Sequence, residues 1–89
     1  MNLLPSEEFI SALHRQGPDD KKMVQRLVNV IQASDFPELS KRNLIKKYQG
    51  EGIFVMLAGH VRVFCSLHVD RNTNEEYLVL LDISDKHDW

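Results

Sequence analysis

From Val61 to Val69 every odd position is apolar (Val61, Val63, Cys65, Leu67, Val69), and the even positions are Arg62, Phe64, Ser66 and His68. Side chains alternate across a strand, so this period of two specifies a strand with one face in a core and Arg62, Ser66 and His68 on the other. A slip of one residue would drive the arginine inward and expose the valines, which fixes the register. The rest of the chain has to supply neighbouring strands and a cover for the valine face.

Both are legible. Gly59 and His60 form a tight turn back to an apolar strand, Ile53 to Ala58, which Gly50 and Gly52 separate from what precedes it. On the other side a polar turn, Asp70 to Asn74, leads to a strand at Glu76 to Ile83. The cover comes from the N-terminal half. Ser6 followed by Glu7 and Glu8 starts a helix whose stripe is Phe9, Ile10 and Leu13; Gly17 ends it and Pro18, followed by Asp19 and Asp20, opens a second. There Met23, Leu27, Val30 and Ile31 recur at helical spacing, widened by Val24 and Val28. Ala33 to Lys41, with Ser34, Pro37 and Ser40, reads as a loop before a basic segment, Lys41 to Tyr48. The predicted fold class is α+β: two N-terminal helices on a small, mainly antiparallel sheet of three to four strands, the fourth being a short edge strand at Asn2 to Leu4.

At 89 residues the chain has room for a single domain, 1–89. Its one cysteine, Cys65, rules out an internal disulfide, and no cysteine or histidine pair has zinc-site spacing. Within its alternating strand Cys65 reads as a small core residue. The longest apolar run, Ile53 to Ala58, is far short of the ~20 residues that span a bilayer. The N-terminus lacks a basic segment and an apolar stretch of signal-peptide length, so a cytoplasmic protein is expected. Net charge is −2, but the distribution is uneven. Lys41, Arg42, Lys46, Lys47, Arg62 and Arg71 lie between Leu39 and Thr73 against Glu51 and Asp70 alone, while both ends are acidic. The middle of the chain is where an anion would bind.

A cation held on a sheet face near a histidine is what phosphate chemistry needs, since the guanidinium binds charge and an imidazole moves a proton near neutral pH. The arrangement of Ser6-Glu7-Glu8-Phe9-Ile10-Ser11-Ala12-Leu13, a second helix entered through Pro18, a lysine-rich approach to the sheet, Val61-Arg62-Val63-Phe64, and Asp82-Ile83 leading to Lys86-His87-Asp88 resembles the RelE/ParE toxin superfamily of bacterial toxin–antitoxin modules. The resemblance spans nearly the whole chain and rests on the order of the pieces. It implies an antitoxin partner and, for the RelE-type branch, metal-independent cleavage of messenger RNA on the ribosome without a cofactor. The ParE-type branch binds DNA gyrase instead. A homologue without activity that serves as a protein-binding module is a further alternative, which the net negative charge favours. The chain departs from the pattern in its acidity, in its short first strand, and in carrying Trp89 where a tyrosine would follow His87.

Under that resemblance Arg62 binds the phosphate through two parallel hydrogen bonds, His87 donates a proton to the leaving oxygen, and Glu51 takes the proton of the attacking hydroxyl. Lys41, Arg42, Lys46, Lys47 and Lys86 track the RNA backbone, and Trp89 stacks on a base. Each has a plainer reading. Arg62 can pair with a strand carboxylate, His87 can be a terminal residue without fixed geometry, the lysines can be a solvated helical face, and Trp89 can pack over the sheet end. A direct pair between Arg62 and His68 is excluded, because six residues of strand separate them by about 20 Å.

Overall fold

The computed structural model describes residues 1–48, 50 and 52–85. In chain order these form β1 (Asn2–Pro5), α1 (Glu7–His14), α2 (Pro18–Gln32), α3 (Phe36–Lys41), β2 (Lys46–Lys47), β3 (Ile53–Ala58), β4 (Val61–Val69) and β5 (Glu76–Asp85). The strands make one sheet in the order β1-β5-β4-β3-β2, antiparallel except for the β1/β5 pair. Five strands thus stand where three to four were expected. The addition is β2, whose Lys46 and Lys47 pair with Val55 and Phe54. The basic segment conceals this strand because two lysines carry no alternation. Lysine nevertheless suits an edge, where it discourages further pairing.

The valine face of β4 is the core face. Val61, Val63 and Cys65 are buried with Met56, Ala58, Leu78, Leu80 and Ile83 of the flanking strands, and with Phe9, Ala12, Val24, Leu27, Ile31 and Leu39 of the helices. Between Phe64 and Cys65 the β4/β5 register shifts, leaving Leu81 as an extra residue on β5. That bulge lets Leu80 and Ile83, an odd number of residues apart, both face inward. Ser6 ties α1 to this point: its Oγ accepts from the Phe9 N–H at 3.1 Å and donates to the Leu81 carbonyl at 3.0 Å, while its own N–H donates to the Leu80 carbonyl at 2.9 Å.

Three helical expectations need correction. In α1 the buried residues are Phe9 and Ala12, whereas Ile10 of the expected stripe is 44% exposed. The inward stripe of α2 is Val24, Leu27 and Ile31, whereas Met23 and Val30 are 36% and 37% exposed. Several periodic choices were open on that helix, and only packing decides which apolar side points in. The stretch expected to be a loop contains α3. Asp35 caps it, Oδ1 accepting from the Glu38 N–H at 2.9 Å, and Pro37 falls in the first turn, where a missing N–H costs no hydrogen bond. Leu39 of α3 is fully buried, and Phe36 meets Phe54 edge-on at 5.2 Å.

The turn between β3 and β4 is held by Gly59 at φ +64°, and a Cβ there would sit 3.2 Å from Met23 Cγ. Gly59→Ala is therefore expected to destabilise the fold by about 1–2 kcal/mol, from left-handed strain and displacement of Met23. Urea denaturation of the two chains measures it; equal midpoints would contradict the geometry.

Candidate functional site

The described helices bury their apolar residues on one face of the sheet, and among the described residues no helix packs on the opposite, open face. Across it lie Lys46 of β2, Ile53, Val55 and Leu57 of β3, Arg62, Phe64, Ser66 and His68 of β4, and Tyr77, Val79, Asp82 and Ser84 of β5. Arg62 sits between Leu57 and Ser84 in the ladder and is half-buried, with its Nε enclosed. It is therefore held, unlike a cation on a surface loop. It lines a hollow of about 390 Å³ with Asn43, Leu44, Lys46, Val55 and Leu57. Asn43, at φ +57°, ends the α3 segment and turns the chain so that Leu44 reaches this wall. The lining is apolar with cations on it, and low polarity around a guanidinium strengthens its hold on an anion.

The other predicted residues divide into two groups. Lys46 joins Arg62 at the hollow; Lys41 and Arg42 at the end of α3 and Lys47 of β2 are exposed along the same stretch. Glu51, Lys86, His87 and Trp89 lie outside the described residues. Tyr48 stands beside this group, its ring meeting Phe64 edge-on at 5.0 Å. Sequence reasoning missed Asn43, Leu44, Val55 and Leu57. A signal for the last two was present: Ile53 to Ala58 is apolar at every position, so the side facing away from the helices is apolar too.

Farther along β4, His68 is engaged by its own neighbours. Its Nε2 is hydrogen-bonded to Ser66 Oγ at 2.8 Å, and its ring stacks on Tyr77 at 5.4 Å. A larger hollow at this end, about 760 Å³, is lined by Asp70, Glu75 and Tyr77 together with Met1, Leu4 and Gln32. Among the described residues no three histidine, cysteine, aspartate or glutamate side chains come together as metal ligands, and no described helix is long and apolar enough to cross a membrane.

Cys65 lies beneath the open face, fully buried, and burial pushes its thiol up from 9.0 to about 12. The folded chain therefore keeps the neutral thiol while the unfolded chain ionises above pH 9.0. The stability this contributes is complete below pH 9.0 and is lost as pH rises toward about 12. At pH 10 the loss amounts to about 1.4 kcal/mol, which Cys65→Ala should not show. Denaturation at pH 8 and pH 10 for both chains checks this; identical slopes would exclude it.

No family model and no curated protein matches the sequence. Solved structures do match the fold. A chain of the toxin–antitoxin complex RelBE2 from Mycobacterium tuberculosis superposes with a TM-score of 0.52 at 18% identity, over 94% of this chain and 95% of that one. The YoeB/ParE toxin from Agrobacterium tumefaciens superposes with a TM-score of 0.62 at 12% identity, over 96% and 98%. The likeness covers nearly the full length of both structures, and the fold of this chain, helices on one face of a mainly antiparallel sheet, is RelE/ParE-like.

Proposed function

We propose that the chain is the toxin of a toxin–antitoxin module and that it cleaves messenger RNA at the ribosome without a metal. The observation that carries this reading is Arg62, held on a central strand in an open hollow with Lys46 beside it. In such a reaction the ribose 2′-oxygen bonds to the adjacent phosphorus, the bond from phosphorus to the 5′-oxygen breaks, one proton leaves the 2′-hydroxyl and another reaches the 5′-oxygen. Arg62 binds the non-bridging oxygens, whose charge grows in the phosphorane, and Lys46 adds to the field. Glu51 as base and His87 as acid complete the set on sequence grounds, with Lys41, Arg42, Lys47 and Lys86 along the RNA and Trp89 against a base. An antitoxin would hold the toxin inactive.

A second reading, a gyrase-binding toxin or an inactive homologue that binds protein, draws on the apolar side of the same hollow. Leu57 is 54% exposed there, which suits a protein surface better than a phosphate. Controlled expression separates the readings. Growth arrest with cleaved transcripts, abolished by Arg62→Ala and kept by Arg15→Ala, supports the nuclease. Arrest with intact transcripts and impaired DNA supercoiling identifies gyrase as the target. Growth without arrest identifies the inactive homologue.

A further inference from the structure

The hollow beside Arg62 is larger than a phosphate needs. At about 390 Å³ it has room for roughly thirteen waters at about 30 Å³ each, whereas a phosphate group displaces only about five. Leu44, Val55 and Leu57 wall the remainder, and a phosphate gains nothing from them. Among the described residues the lining holds two cations, Lys46 and Arg62, and no carboxylate; Asp82, farther along the open face, lines a separate hollow with Glu7, Glu8 and Arg15. An occupant that fills such a space has an anionic end and a flat, weakly polar body, which is the make-up of a nucleotide.

One polar group on this wall is uncharged. Asn43 closes α3: its N–H donates to the Ser40 carbonyl at 3.1 Å, the Leu44 N–H donates to the Leu39 carbonyl at 2.9 Å, and Asn43 itself is held at φ +57°. The two bonds fix where its side chain leaves the backbone. Glycine is the residue this turn favours, so folding does not require the carboxamide. That carboxamide lines the hollow and makes no hydrogen bond to a described residue.

We propose that Asn43 reads the nucleobase next to the phosphate that Arg62 binds, and that this base is adenine; the inference rests on the RNA reading given above. A carboxamide presents one donor and one acceptor side by side, which match N7 and the N6 amino group of adenine. Guanine offers two acceptors, N7 and O6, on the same edge, so one of its contacts is repulsive. The faces of the base lie against Leu44, Val55 and Leu57. Arg62, engaged with phosphate, positions the nucleotide and carries no sequence information.

The test is binding of two dinucleoside phosphates, one with two adenines and one with two guanines, each 2′-O-methylated so that the attacking hydroxyl is blocked and nothing is cut. NMR titration of the intact chain should show the adenine compound bound about tenfold more tightly. Asn43→Gly suits the turn and should bring the ratio to about one, with the dispersion of the same spectra showing that the chain is folded. Arg62→Ala should weaken both compounds alike and leave the ratio near tenfold. A general loss of structure lowers both affinities together, so the ratio isolates the contact. Equal affinities in the parent, still dependent on Arg62, would overturn the role of Asn43 and leave the RNA reading standing. An adenine preference that survives Asn43→Gly would overturn it too, as would a preference for guanine, which Lys46 would then be reading. A parent chain that binds neither compound removes the inference together with the reading beneath it.

Discussion

Arg62→Ala is expected to lower RNA cleavage by about 10²–10³-fold, the usual cost of removing one preorganised donor from a developing oxyanion. Arg62→Lys keeps the charge and loses the planar fork, so it should fall between, about tenfold below the parent. The ordering distinguishes geometry from charge: were Arg62 a solvated cation, lysine would replace it without loss. Single-turnover cleavage of a ribosome-bound message measures all three chains, with circular dichroism confirming that each is folded. Equal rates for the parent and the Arg62→Ala variant would remove the catalytic assignment while leaving the fold intact.

The largest stability effect is expected inside the helix–sheet layer. Ile31 has no exposed surface and closes the core beneath the sheet, so Ile31→Ala should cost about 3 kcal/mol through lost burial and the cavity left behind. A domain this small is stable by roughly 5–10 kcal/mol in all, so a third or more of the total would go. Met23→Ala, on the same helix and of the same apolar character, should cost at most about 1 kcal/mol because its side chain is only partly covered. Urea titration of both variants decides whether α2 turns Ile31 or Met23 inward, and comparable losses would contradict the observed face.

Where a residue's environment is fixed by local periodicity, the sequence was readable. β3 and β4 run over the expected residues, Ser6 and Pro18 start the helices as their chemistry demands, and Arg62 stands on the face opposite the valines. What escaped reading depends on distant partners. β2 exists only because β3 lies beside it, α3 only because Leu39 finds a core, and the bulge at Leu81 only because two strands of unequal pattern had to share one face. The site follows the same rule. A strand could announce its arginine, but the walls of the hollow come from the loop after α3 and from the far side of β3, which no local pattern joins to it.

The tie between Ser6 and Leu81 joins positions 75 residues apart, and among the described strands β1 pairs with β5 alone. Pairing across so long a span is slow to form and cannot begin until its second half exists. A nascent chain therefore leaves β1 without its pairing strand until β5 has been made.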